Sequence, residues 1–258
     1  MDERIVRIST TGDGGSFIPF ATRHLIDATA FAAETILVGL NSDFGNRFGS
    51  MMIVPHSGPV TGSPVDMVLR PYHPQSYCVD RTLTYAYPAT PRGISGAQTG
   101  IPTSVSLVGY NIPSVDPVND SVSYLTLNIG RTGTSSLPQS VFNQLLRLIS
   151  SFGGRLISEN RISAPNCFEN MVSQLPPVLF ELLDVDRFQS PLLHFLFMPD
   201  EYLQRVPNDR NQCILNFVLG TRIPEHNYDI VSLDLDFLKD MVVHFDYSNS
   251  RIGFGDPL

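Results

Sequence analysis

The sequence predicts a mainly β chain with a few short helices. Twenty prolines and nineteen glycines divide its 258 residues into short segments, many of them rich in Val, Ile, Thr, Tyr and Phe. Short runs of such residues bounded by Gly and Pro are typical of strands. One longer segment, residues 137–149, instead repeats its apolar residues at helical spacing.

Residues 1–30 predict an irregular leader, with or without a short helix. A Gly-rich run at residues 12–15 has no Gly-Lys-Ser/Thr element after it, so a phosphate-binding loop is not indicated. The first residues are charged and no long apolar stretch follows them, so we expect no secretory signal here. An intracellular location is favoured, although a signal removed before residue 1 would leave the same sequence.

Several strands are expected before residue 110. Residues 35–40 and 51–54 are apolar and β-branched, and the polar turn between them predicts a hairpin that ends at residues 55–58. Residues 77–87 alternate in polarity and predict one continuous strand.

The second half begins with the helix over residues 137–149. Ser136 is a suitable N-cap and Pro138 fits the first turn, while Gly153 and Gly154 mark the end. Further strands are expected at residues 213–217 and 228–232.

Charge and hydropathy exclude several classes of partner. The net charge is −8 and no Lys/Arg cluster occurs, so binding to nucleic acid or anionic lipid is disfavoured. No apolar run approaches the ~20 residues that span a bilayer. Charged residues make up 16% of the chain, where soluble domains carry about 25%, so we expect a polar-neutral surface or one partly covered by other proteins.

The cysteines and histidines do not predict a metal or cofactor site. The six histidines are scattered singly, and no two cysteines have the short spacing of metal ligands. The three cysteines, Cys78, Cys167 and Cys213, leave at least one unpaired. We therefore expect no cofactor and no metal.

The turn around Arg131 carries the first resemblance to a known family. A hydrophobic strand at residues 125–129 runs into Gly130, Arg131 and then Thr-Gly-Thr-Ser. This segment resembles the second active-site turn of the pepsin-like aspartic proteases, where such a strand ends in Asp-Thr-Gly-Thr-Ser. The resemblance places Arg131 at the position of a catalytic aspartate.

Two further positions resemble the first half of that family. His56 precedes Ser57 and Gly58, which match the end of the family's first Asp-Thr/Ser-Gly, so His56 would replace the other aspartate. The alternative is an ordinary loop histidine. Thr84-Tyr85 resembles the Thr-Tyr of the flap hairpin, but the Gly-Asp-Gly tip is missing. Tyr85 is thus a flap candidate, or else a core or edge-strand tyrosine.

The C-terminal part resembles the family most closely. Residues 236–254 are similar to the end of pepsin-like and nepenthesin-like enzymes, with Phe-Asp-x-x-Asn-x-Arg-Ile-Gly-Phe as their last strand pair. A Pro-x-x-Tyr element lies at residues 199–202, and Ser232 stands where the family has a glycine at a backbone crossing. The resemblance also implies a disulfide between Cys167 and Cys213 in an oxidising compartment; in cytosol both would be thiols.

The resemblance implies a reduced bilobal aspartic-protease-like fold. Only 75 positions separate His56 from Arg131, far fewer than in a full two-lobed enzyme. We expect an irregular leader at 1–30, a reduced N-terminal lobe at 31–120 and a pepsin-like C-terminal lobe at 121–258. Residues 104–108 resemble the strand that follows the flap, which implies a place in the first lobe or a bridge between the lobes. Residues 175–182 resemble the family's Pro-x-Val-x-Phe strand.

Asp234 and Asp236 are the other carboxylates considered as site residues. At i and i+2 on a strand they would share one face. A solvated edge before a helix turn at Phe237 and Leu238 is the favoured interpretation. They do not replace the dyad, which draws one carboxylate from each lobe.

These residues predict a protein without protease activity. Aspartic proteases use two carboxylates that share one proton, whereas a guanidinium has no acceptor and stays protonated. The first hypothesis is a structural or protein-binding subunit of a larger assembly. The alternative is a pseudoprotease that binds peptides or an enzyme in an open cleft. A third is a hydrolase that uses His56 with another partner.

Overall fold

The fold is described from a computed structural model. It describes residues 4–7, 49–55, 65–69, 71–91, 100–108, 122–128, 135–158, 161–165, 171–184, 190–206, 209–223 and 228–258. The strands in these residues are β1 (Arg4–Arg7), β2 (Ser50–Pro55), β3 (Val65–Leu69), β4 (Thr84–Ala86), β5 (Ile101–Leu107), β6 (Ser123–Asn128), β7 (Ser136–Leu137), β8 (Arg155–Ser158), β9 (Arg161–Pro165), β10 (Val178–Leu183), β11 (Pro191–Phe197), β12 (Leu203–Val206), β13 (Asp209–Leu215), β14 (Val218–Leu219), β15 (Thr221–Ile223), β16 (Tyr228–Asp234), β17 (Val242–Asp246) and β18 (Arg251–Gly255). The α-helices are α1 (Gln139–Ser151), α2 (Pro199–Tyr202) and α3 (Leu235–Leu238).

A six-stranded antiparallel sheet joins the two ends of the chain. Its order is β1-β3-β2-β17-β18-β4. The prediction of an irregular leader over residues 1–30 is therefore wrong for Arg4–Arg7, which form β1 and pair with β3. Ile5 and Val6 supply the β-branched pair that suits a strand.

An eight-stranded sheet contains most of the second half of the chain. Its order is β11-β10-β5-β6-β16-β7-β14, and β15 pairs with β16. Strand β5 lies between β10 and β6, although it belongs to the segment expected in the N-terminal lobe. The expected boundary between 31–120 and 121–258 thus does not separate the two sheets, because each sheet takes strands from both segments.

A third sheet has the order β12-β13-β9-β8. Cys213 on β13 is buried and disulfide-bonded, while Cys78 is a buried free thiol. Cys167 lies outside the described residues.

Helix α1 confirms the predicted helix and corrects its first turn. Pro138, not Ser136, occupies the N-cap, and Ser136 lies in β7. The helix buries Val141, Phe142, Leu145 and Ile149, the apolar face expected from their spacing. Gly153 follows with φ +85, a left-handed conformation that favours glycine.

The predicted strand over residues 77–87 is wrong for most of its length. Pro74–Tyr77 and Val79–Arg81 form 3-10 turns, and only Thr84–Ala86 form a strand. Asp80 and Arg81 both have φ +54, which no extended strand accommodates. Alternation of polarity does not reveal such a break.

Aromatic side chains fill the core between the sheets. Phe217 stacks on Phe237 with ring centroids 4.5 Å apart, and Phe197 meets Phe237 edge-on at 4.7 Å. The predicted Pro-x-x-Tyr element is α2, whose Tyr202 donates a buried hydrogen bond to the Pro176 carbonyl at 2.7 Å. Burial raises the pKa of the Tyr202 phenol, so it remains a donor.

Candidate functional site

Three strand segments converge where the sequence places the degenerate active-site turn. Strand β16 runs parallel to β6, and their last pair is Asp234 with Asn128. On its other side, β16 pairs with β7 through Ser232 and Ser136. We call this arrangement of β6, β7 and β16 the strand crossing. Arg131 belongs to the segment that joins β6 to β7 and lies outside the described residues.

Ser135 and Asp234 form the centre of the strand crossing. The Ser135 amide donates to Asp234 Oδ2 at 3.0 Å, and the Asp234 amide donates to Ser135 Oγ at 2.9 Å. The Asp236 amide donates to Asp234 Oδ1 at 3.1 Å, which makes Asp234 the N-cap of α3. Both carboxylate oxygens of this fully buried side chain therefore accept backbone hydrogen bonds.

The expectation of a solvated edge is wrong for Asp234, which has no exposed surface. Its carboxylate is compensated by amides from two parts of the chain, one of them 99 positions away. Asp236 is half-buried at the start of α3, and the predicted helix turn at Phe237 and Leu238 is confirmed.

Hydroxyl groups hold β16 against its neighbours. Ser136 Oγ accepts from the Ser232 amide at 2.9 Å and lies 3.2 Å from Ser232 Oγ. Thr126 Oγ1 donates to the Val231 carbonyl at 3.1 Å. The serine at position 232, expected in place of a glycine, is thus accommodated by a hydroxyl partner on β7.

Tyr85 lies in the six-stranded sheet, on β4. It pairs with Gly253 of β18, and a side chain at Gly253 would meet the Tyr85 ring at 2.7 Å. Tyr85 Oη shares a hydrogen bond with His244 Nδ1 at 2.9 Å, and the Arg251 guanidinium lies 3.9 Å from the ring centroid. Burial raises the pKa of the Tyr85 phenol, against the effect of Arg251.

His244 and Asp246 form a buried polar cluster that sequence reasoning missed. Burial lowers the pKa of His244 to about 4, so its imidazole is neutral at neutral pH. Its Nε2 is buried without a hydrogen-bond partner among the described residues. The sequence signal was the Phe-Asp-x-x-Asn-x-Arg motif, from which no role was predicted.

Asp246 is compensated by its neighbours within that motif. Arg251 Nε lies 2.8 Å from Asp246 Oδ2, and Asn249 Nδ2 donates to both carboxylate oxygens. Burial raises the pKa of Asp246, but the hydrogen bonds from Asn249 and Arg251 outweigh it and hold the pKa below its ordinary value. These hydrogen bonds join the end of β17 to the start of β18.

Comparisons with known proteins show similarity in structure. No family model matches the sequence, and no curated protein matches it. Among solved structures, the crystal structure of aspartic proteinase from Irpex lacteus matches with a TM-score of 0.55 at 13% identity, over 81% of this chain and 56% of that one.

The chain has a pepsin-like fold. A mainly β, reduced form of that fold is the predicted fold class, which is confirmed. The chain spans 56% of the length of the solved structure, and at this identity the likeness extends to the fold alone. The nepenthesin-like subfamily and the absence of activity stay predictions.

Within this pepsin-like fold, the predicted site residues have different outcomes. β2 ends at Pro55, and His56, like Arg131, lies outside the described residues. The roles of His56 and Arg131 therefore stay predictions. Tyr85 is held within a sheet by His244 and Arg251, and its role as a flap residue also stays a prediction.

The described residues contain neither a metal-binding cluster nor a membrane-spanning helix. Across the ranges that the structure describes, no three His, Cys, Asp or Glu side chains are grouped so as to hold a metal ion. None of the helices in those ranges combines the length and apolar character needed to cross a bilayer.

Proposed function

We propose that this protein is a non-catalytic member of the pepsin-like fold and serves as a structural or protein-binding subunit of a larger assembly. The observation that carries the proposal is Arg131, which stands where the resemblance requires a catalytic aspartate. It belongs to the segment between β6 and β7, where the strand crossing lies.

The chemistry of the dyad supports this proposal. One carboxylate must act as a base towards water while the other donates a proton. A guanidinium at position 131 has no lone pair for the first role and does not give up its proton for the second.

The carboxylate of Asp234 is not a substitute base. It is fully buried, and each of its oxygens accepts a backbone hydrogen bond, from Ser135 or from Asp236. A general base must reach the proton that it abstracts. Asp234 therefore supports the geometry of the strand crossing and has no contact with a substrate.

His56 does not restore catalysis on its own. If it faces Arg131, repulsion disfavours the protonated imidazole and lowers its pKa. Ser57 follows it directly in the sequence, and adjacent residues of a strand point to opposite faces, so the sequence does not favour a Ser–His pair from these two.

The low charge content supports a role in an assembly. Only 16% of residues are charged, and a surface with few charges is suited to being covered by partner proteins. The proposed partners are other proteins.

The alternative function is a peptide- or enzyme-binding pseudoprotease with an open cleft. The disulfide bond of Cys213 favours this alternative, because disulfides persist in oxidising compartments, where secreted binding proteins act.

The mass of the native protein in cell extract tests the first proposal. The isolated chain has a mass of 28.5 kDa. In size-exclusion chromatography, an assembly subunit is expected to elute well above this mass. When it is purified, it is expected to aggregate alone or to be obtained only together with its partners. A stable, soluble monomer in the extract would contradict the assembly role and favour the cleft-binding alternative.

A further inference from the structure

A cavity of about 580 Å³ lies where the six-stranded sheet meets an edge of the eight-stranded sheet. It is lined by residues 193–197 of β11, Thr84 of β4, Phe254 of β18 and Phe237 of α3, among others. We call this cavity the edge groove.

The edge groove follows the free edge of β11. Within the described ranges, β11 is the last strand of its sheet and pairs with β10 alone. Five consecutive residues of β11 line the groove, although side chains on a strand alternate between two faces. The edge of the strand itself therefore borders the groove, and the backbone groups that point away from β10 can pair with another strand.

Both apolar and polar side chains line the edge groove. Phe195 meets Phe254 edge-on with ring centroids 5.2 Å apart, and this contact joins the two sheets. Leu196 is 50% exposed and Val79 is 45% exposed, and both line this cavity. Partner side chains gain apolar contact at both positions.

The rim of the edge groove is acidic. Its carboxylates belong to Asp80, Glu201, Asp236, Asp240 and Asp256. No Lys or Arg is among the described residues that line it, and the one basic side chain there is His194, whose Nε2 lies 3.4 Å from Glu181 Oε1. A groove with low-dielectric walls and charges of one sign attracts a segment of the opposite sign.

We propose that the edge groove binds an extended basic segment of another protein, which adds a strand to β11. The inference rests on the proposed protein-binding function and names the chemistry of its partner. Backbone hydrogen bonds along β11 supply affinity, as in other cases of strand addition. Alternate side chains give specificity: apolar residues on one face of the added strand contact Phe195, and Lys or Arg residues face the acidic rim.

Binding of synthetic peptides to the full chain tests the chemistry of the partner. The probe is a fluorescent peptide of alternating Lys and Val residues with the same number of residues as β11. It is expected to bind, and its affinity is expected to fall as the salt concentration rises. The same peptide with Glu in place of Lys is expected not to bind. Equal binding of both peptides, or binding of neither, overturns the proposal.

N-methylated peptides test strand addition itself. Amide hydrogens on one edge of an extended peptide belong to alternate residues. Two Lys/Val peptides are therefore compared, one methylated at odd amides and one at even amides. Strand addition predicts that one of them loses binding and the other retains it. Retention by both, or loss by both, contradicts pairing with β11.

A charge reversal locates the binding surface. Asp240→Lys changes an exposed rim residue, and Asp209→Lys makes the same change in net charge at an exposed position on β13, outside the groove. Asp240→Lys is expected to weaken binding of the Lys/Val peptide about fivefold or more, as for loss of one or two surface ion pairs. Asp209→Lys is expected to leave binding unchanged. Equal effects of both variants overturn the edge groove as the binding surface.

Failure here is distinct from failure of the proposed function. A native complex in cell extract, together with no binding of the Lys/Val peptide, would overturn the edge groove and leave the assembly role standing. A monomer in extract that binds the peptide with the expected pattern would overturn the assembly role and support the groove.

Discussion

Ser135 and Asp234 bind each other through two hydrogen bonds, each from the backbone amide of one residue to the side chain of the other. The two distances are 3.0 Å and 2.9 Å. This exchange joins the start of β7 to the end of β16. Pepsin-like enzymes use carboxylates for hydrolysis. The Asp234 carboxylate at the strand crossing instead accepts backbone hydrogen bonds that hold the fold together.

Replacement of Asp234 is expected to destabilise the protein. Asp234→Ala leaves the buried amides of Ser135 and Asp236 without an acceptor, and each such amide costs about 1–3 kcal/mol. We expect the free energy of unfolding to fall by about 3 kcal/mol, and by less in Asp234→Asn, which keeps one acceptor. Chemical denaturation measures both.

Asp240→Ala is the control for Asp234. Asp240 is exposed, and a surface substitution of this kind changes stability by about 0.5 kcal/mol or less. An unfolding midpoint for Asp234→Ala equal to that of Asp240→Ala would show that the pair at the strand crossing contributes nothing.

Acid is expected to destabilise the protein through His244. The pKa of about 4 in the folded state lies below the ordinary value of 6.5, so the unfolded chain takes up the proton first as pH falls. The stability from neutral His244 is fully present above pH 6.5 and is lost between pH 6.5 and about 4. The loss amounts to about 3 kcal/mol.

Thermal or chemical unfolding at a series of pH values checks this effect. His244→Gln keeps a polar group near Tyr85 but does not titrate, so its stability is expected to vary less over the same interval. His194→Gln is the matched control, because His194 has 56% of its side chain exposed. The same pH dependence in His244→Gln and in the unaltered protein would contradict the assignment.

Tyr85 is expected to act as a fixed part of the six-stranded sheet. Tyr85→Phe removes the hydrogen bond to His244 Nδ1 but keeps the ring beneath Arg251. We expect a loss of about 1 kcal/mol in the free energy of unfolding. Tyr87→Phe, at a nearby exposed position, is expected to have no effect. Equal stability of the two variants would show that the hydrogen bond between Tyr85 and His244 contributes nothing to the stability of the sheet.

Local patterns predicted part of this fold. Helical spacing predicted the apolar face of α1, and a β-branched, apolar run predicted the interior of β2. These elements depend on the residues within them. The sheet to which β5 belongs depends on partners far along the chain, so its position between β10 and β6 was not predicted.

The candidate site was predicted less completely than the fold. Two carboxylates two positions apart suggested a solvated edge, but Asp234 is buried because a serine amide 99 positions away compensates it. The spacing of nearby residues in the sequence does not predict a contact between residues so far apart. The break in the strand before Tyr85 depends on the left-handed backbone of Asp80 and Arg81, residue types that also occur in strands.

The absence of catalysis is tested by a peptidase assay on the unaltered protein, from acidic to neutral pH, with a mixed peptide library. We expect no cleavage. We also expect none in Arg131→Asp, because His56 would still leave the pair one carboxylate short. Restored cleavage in Arg131→Asp would overturn the assignment of His56, and cleavage by the unaltered protein that disappears in His56→Ala would show that the protein is an enzyme.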